Sequence, residues 1–266
     1  MWDTVWTAVS AVATALAFLV VAWQSILTRS ALSVAHTALT VSEAVALDAA
    51  RARLDDQAPE VTVVIDDVPW PPLAWSHIGV PVHPWPPGHE WPFPEKEHER
   101  IVLQALVWLD NPSSRSVWVT FSGDLVVNRE NRFHPAPHIP LEPGQRSGLY
   151  LNKDFTIKEL AGNYAAREEG HPLPHRVQGT VTVHDDRDNG VTDTWNLELT
   201  GCPVEPHETR GSVWRVVGHH VTEGDGSRSL EYIPRPTRRR TYWISRENEI
   251  RLPEPRFSST TPGVQG

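Results

Sequence analysis

The residues of this chain with the types to do chemistry are its histidines and acids. His77, His83, His89 and His98 share one stretch with Glu90, Glu95 and Glu97. Zinc is usually held by short ligand pairs, with about two to five residues between partners, on a shaped scaffold. Prolines interrupt every interval between these histidines, so no metal site is expected. His171 and His175 have a suitable gap, but His171-Pro172-Leu173-Pro174-His175 cannot be helical. Asp185, Asp186, Asp188 and Asp193 resemble a calcium loop at first sight. Counted from Asp185, Asn189 and Gly190 fit an EF-hand, whereas Arg187 at the third position and Asn196 at the twelfth do not. A hairpin turn explains the segment better.

Cys202 is the only cysteine, so no internal disulfide forms. With no histidine beside it in sequence, it reads as a small apolar residue near a strand end, not an activated thiol. There is no nucleophile elbow, phosphate-binding glycine loop, dinucleotide fingerprint or HExxH. No catalytic residue and no cofactor are expected. A membrane-anchored hydrolase built from the scattered histidines and acids is the weakest of three functional readings.

Two segments carry recognition chemistry instead. Pro69 to Pro94 holds nine prolines and Trp70, Trp75, Trp85 and Trp91. Proline makes such a loop stiff and extended, with little entropy left to lose on binding. Trp75, Trp85 and Trp91 are the candidate contacts, for a partner groove or a sugar ring. The competing reading folds these rings back as a lid over a sheet edge. Arg238, Arg239 and Arg240, with Arg235 nearby, form a local basic patch suited to anionic head groups, or else a strand edge protected by charge.

These segments need elements to hold them. No charged side chain occurs between Asp3 and Arg29, and Val5 to Trp23 reads VWTAVSAVATALAFLVVAW. Nineteen helical residues span about 28 Å, close to the hydrocarbon thickness of a bilayer. Trp6 and Trp23 bracket the run where interfacial aromatics belong. A secretory signal is disfavoured by the opening MWDT, which has no Lys or Arg, and by the length of the run. Residues 1–27 are therefore expected to be a transmembrane anchor. Arg29, then Arg51 and Arg53, put positive charge on its C-terminal side, which places the N-terminus outside and the remainder in the cytoplasm.

Residues 28–58 are expected to continue as a helical stalk, free of Gly and Pro until Pro59. Leu27, Ala31, Val34, Ala38, Val41 and Val45 recur at alternating spacings of four and three, the seam of a short heptad repeat. Asp48 then falls on that seam. Self-association through the anchor and stalk is one expected partnership.

Beyond Pro59 the hydrophobic period changes to two. Val61 to Ile65 predicts a strand, and Ile101 to Leu109 a central strand. Asn111 to Ser114 predicts a turn into Val117–Phe121, hence a hairpin. Thr156 and Glu159 form a capping-box pattern for one short helix, and Asn189-Gly190 marks a hairpin between Val177–Val183 and Val191–Leu199. Val213–Val217 and Thr241–Ser245 add two strands. The expected fold is mainly β: an N-terminal transmembrane helix and helical stalk followed by a β-sandwich, immunoglobulin-like in architecture, over residues 59–252 with the Trp/Pro-rich loop 69–94 and one short helix. Residues 253–266 are expected to be a flexible tail.

The net charge of −9, without a basic face, argues against nucleic-acid binding. The expected function is a single-pass scaffold that presents its sandwich to a protein partner at the cytoplasmic face of the lipid bilayer. The second reading faces the domain outward, to bind glycan or envelope polymer.

Overall fold

A computed structural model describes residues 2–66, 68, 73–74, 84–86, 88–129, 132–185, 190–217 and 229–253, without the side chains of residues 2–13, 15, 17 and 73–74. The chain forms two compact units, divided at the end of the first helix.

The first unit is dominated by α1 (Trp2–Gln57), one continuous helix of 56 residues. At 1.5 Å per residue it is about 84 Å long, nearly three times the thickness of a bilayer core. The segments expected as anchor and stalk are thus one continuous helix, which ends two residues before Pro59. It is long and apolar enough to cross a membrane, and its most apolar described stretch is entirely unburied.

The second unit is mainly β. In chain order its elements are β1 (Thr62–Ile65), β2 (Leu73–Ala74), β3 (Glu90–Pro92), β4 (Arg100–Asp110), β5 (Val117–Gly123), β6 (Leu125–Arg129), β7 (Arg132–Pro135) and β8 (Ile139–Leu141). Then come β9 (Arg146–Thr156), α2 (Ile157–Glu168), β10 (Val177–Asp185), β11 (Val191–Thr200), β12 (Val204–Pro206), β13 (Val213–Val216), β14 (Glu231–Tyr232), β15 (Arg238–Ser245) and β16 (Ile250–Arg251). A six-stranded sheet runs β1-β4-β9-β6-β7, with β2 also on β4. A seven-stranded sheet runs β16-β15-β11-β10-β5-β8, with β14 on β11. A small sheet, β12-β13-β3, stands apart from both.

The strands alternate as a half-buried sheet requires. In β4, Ile101, Leu103, Ala105, Val107 and Leu109 are buried while Gln104, Leu106 and Trp108 are partly exposed. The same alternation in β9, β10 and β11 sends Leu149, Leu151, Val181, Val183, Trp195 and Leu197 into one core shared by the two large sheets. Gly179 sits where β10 meets β6 and β9. A Cβ there would lie 2.6 Å from Leu125 Cγ, so only glycine allows this approach.

The expected hairpin between β4 and β5 does not form. β5 pairs with β10 and β8, while β4 pairs with β1, β2 and β9. The Asn111 turn instead carries the chain from one sheet to the other. Asn111 is fully buried: its amide donates to the carbonyls of Arg115, Leu141 and Glu142, and its side-chain oxygen accepts from Ser113. A turn residue so committed to two loops cannot serve a tight two-strand return. By contrast, β10 and β11 do form the antiparallel hairpin expected across Asn189-Gly190, from Val177 opposite Leu199 to His184 opposite Thr192. Thr156 and Glu159 cap α2 reciprocally.

Candidate functional site

Of the expected aromatic contacts, Trp75 lies outside the described residues. Trp91, on β3 opposite Trp214 of β13, is fully buried and belongs to the core. Its indole N–H donates to Glu99 Oε2 at 3.0 Å, and Lys96 Nζ binds the other oxygen of that carboxylate at 2.6 Å. Trp91 is therefore an interior residue and not a contact. Trp85 packs edge-on to Trp91 at 5.2 Å and lies 4.5 Å from the His89 ring, itself 4.9 Å from Trp91. Phe93 stacks on Trp214 at 5.8 Å, and Tyr164 of α2 meets Trp214 edge-on at 5.7 Å.

The described part of the Pro-rich segment is thus attached both by the β3–β13 ladder and by its aromatic rings. Burial lowers the His89 pKa from its ordinary value and keeps the ring neutral. Trp85 Nε1 and His89 Nε2 are buried without a hydrogen-bond partner among the described residues.

Strand alternation divides the arginine patch. Arg240 and Arg238 point to the same side of β15, where Arg240 grips Asp193 through two bonds of 2.7 Å and Arg238 Nη1 lies 3.8 Å away. Arg239, opposite Thr194, emerges on the other side. Three consecutive arginines therefore do not make one basic face, and Arg240 serves structure. Asp193 is buried, as is Asp185, which Arg115 meets at 3.3 Å. The counter-charges of these two acids are arginines. Asp186 and Asp188 lie outside the described residues, as do His77 and His83. Among the described residues, no group of three or more His, Cys, Asp or Glu is placed to hold a metal ion. Burial pushes the Cys202 thiol up to about 11, which leaves it protonated and a poor nucleophile at neutral pH.

The strongest candidate for a recognition surface is one that composition does not reveal. On the outer side of the six-stranded sheet, Val64, Trp108 and Gly148 form one cross-strand row. Leu106, Tyr150, Val126 and Pro135 form the next. Phe133, on the edge strand, meets Tyr150 edge-on at 5.6 Å. Val64, Leu106, Trp108, Val126, Phe133 and Tyr150 are all partly exposed, and none belongs to the core.

Trp108 is fixed in place. It lies over Gly148, where a Cβ would stand 3.0 Å from the ring, and it donates from Nε1 to Asp66 at 3.1 Å. The Arg146 guanidinium sits 4.1 Å above the ring. Gln104 bonded to Asn152, and Arg100 paired with Asp154, continue the surface as a polar border.

No family model matches the chain, and no curated protein matches it. Its chemistry is therefore argued from its own geometry. An apolar centre of Trp, Tyr, Phe and Leu with a bonded polar rim is the anatomy of a recognition surface. Sequence reasoning missed it because Ile101 to Leu109 reads as an unbroken apolar run. Such a run suits a strand buried on both sides, and it hides the alternation. Gly148 leaves the room that the Trp108 ring needs, a pairing across 40 residues that only the structure shows.

Proposed function

We propose that the chain is a single-pass membrane-anchored recognition module. The N-terminal part of α1 crosses the bilayer, its N-terminus outside, and the rest of the helix stands in the cytoplasm as a stalk. The β domain docks a protein partner on the outer face of the six-stranded sheet. The carrying observation is the cluster of Leu106, Trp108, Tyr150 and Phe133, left outside the core of a domain that follows an unburied apolar helix. Orientation is supported by Arg29, Arg51 and Arg53 on the C-terminal side of the span, against Asp3 on the other.

We read the domain as an immunoglobulin-like sandwich. The orders β1-β4-β9-β6 and β5-β10-β11 follow the four-strand and three-strand sheets of a constant-type immunoglobulin domain, with the same changes of sheet along the chain.

Reporters fused at the C-terminus test the topology. Fluorescence from a protein that matures only in the cytoplasm is expected, and phosphatase activity from an enzyme active only outside would overturn the placement. A photo-crosslinking residue at position 150 should link to a partner protein, whereas one at position 182 on the opposite sheet should not.

A second reading has an observation of its own. The seven-stranded sheet bears a groove of about 370 Å³ lined by Gln178, Thr180, Asn196 and Glu198 with Gly123, Gly179 and Leu197. Hydroxyl and amide groups suit a neutral glycan. An outward-facing domain with affinity for polysaccharide would favour this reading over the first.

A further inference from the structure

We propose that the stalk of α1 pairs with the same segment of a second copy of this chain, parallel and in register, so that the β domains are displayed in pairs. The inference rests on the anchored reading above.

Periodicity favours this pairing. Leu27, Ala31, Val34, Ala38, Val41 and Val45 occupy alternating core positions of a heptad repeat. Arg29, His36 and Glu43 are the only titratable residues between Asp3 and Asp48, and they stand seven apart. That spacing puts all three on one stripe, opposite the seam. The flanking positions are Thr28, Ser30, Ala35, Thr37, Ser42 and Ala44, all small and neutral. No like charges meet when two such seams close. The other apolar repeat, Leu32 and Leu39, lies beside the charged stripe and is the poorer face.

Polar satisfaction favours it as well. Hydroxyls beside a seam would oppose its closure if they had to give up water unpaired. Thr28 Oγ1 donates to the carbonyl of Gln24, Ser30 Oγ to that of Leu27 and Thr37 Oγ1 to that of Ser33. Three of the four flanking hydroxyls are thus already bonded within their own helix.

Exposure, set against helix length, points the same way. Leu27, Val34, Val41 and Val45 are 52%, 68%, 57% and 63% exposed. A bilayer accounts for about 20 residues of helix, which leaves most of this seam in water. A helix with a bare apolar stripe is marginal there, because most helical stability comes from packing such a face. The anchor also names the occupant. Two copies inserted in one membrane share direction and height, which is the parallel, in-register arrangement a matching seam needs. Leu27 to Val45 gives about 28 Å of contact, which ends where Asp48 takes a seam position.

Cysteine scanning of the full-length chain in its membrane tests this. Native Cys202 is buried and its thiol protonated, so the parent chain serves as the blank. Under copper-phenanthroline oxidation, Val34→Cys and Val41→Cys should yield at least about five-fold more disulfide-linked dimer than His36→Cys and Glu43→Cys, as expected for seam against opposite positions. Equal linkage at all four sites, or none at any with the chain still in the washed membrane fraction, would overturn the pairing and leave the anchor intact. Recovery of the chain in the aqueous fraction would overturn both.

Discussion

The two outer faces of the β domain differ in chemistry although they back onto one core. On the seven-stranded sheet, Thr120, Thr182 and Thr194 stand side by side on three strands, with Arg239 next to Thr194. Ser122, Thr180 and Asn196 make the row on one side of these threonines, and the exposed Trp118 with His184 and Thr192 the row on the other. On the six-stranded sheet the corresponding rows are Val64–Trp108–Gly148 and Leu106–Tyr150–Val126. A solvated antiparallel sheet needs only the first kind of face: β-branched hydroxyls suit the pleat and satisfy water. The second kind leaves aromatic surface partly wet, which the fold does not require. Arg146 and Asp66 hold the Trp108 ring in a single orientation. A side chain fixed this way loses little entropy on binding, the property expected of a contact residue. The described rings of the Trp/Pro segment, Trp85 and Trp91, are used in packing, while the proposed recognition surface is built from ordinary strand positions.

Five measurements would sharpen or break this contrast, and the largest strikes both faces together. Gly179→Val forces a side chain against Leu125 and Leu151, between the sheets. It should lower stability by about 3 kcal/mol or abolish folding, read from the urea midpoint of the domain. Arg240→Ala is next, because it leaves Asp193 buried without its bidentate partner. A loss of about 3 kcal/mol is expected, and a loss no larger than that of an exposed arginine would show that the pair contributes nothing.

The third is a pH titration. The folded Cys202 thiol titrates near 11, above its ordinary 9.0, so the folded state holds its proton longer than the unfolded state. Its contribution is complete below the unfolded value and is lost as pH rises from about 9 to about 11, on the order of 2 kcal/mol. Cys202→Ala should flatten that slope.

The smaller effects separate the faces. Trp108→Ala combined with Tyr150→Ala should cost only about 1 kcal/mol of stability, yet weaken capture of the crosslinked partner by about ten-fold. Thr182→Ala combined with Thr194→Ala should change stability by less than about 0.5 kcal/mol and leave capture unaltered. The reverse pattern, with the threonine variant losing the partner, would transfer the site to the other sheet.

Local chemistry was legible in the residues themselves. The charge-free run before Arg29 and the absence of Gly and Pro until Pro59 specify a long apolar helix whatever follows it, because helix bonds are made within one segment. The β10–β11 hairpin and the reciprocal cap at Thr156 rest likewise on residues a few positions apart. What only the tertiary structure decided were pairings between distant strands. It set β5 beside β10 and not β4, buried Trp91, split Arg239 from Arg238 and Arg240, and brought Trp108, Tyr150 and Phe133 onto one face. The physical reason is that a strand's own sequence specifies two alternating sides but not which one meets the core or which neighbour lies alongside. Those choices follow from burying the most apolar area across the whole sheet, a sum that no single segment contains.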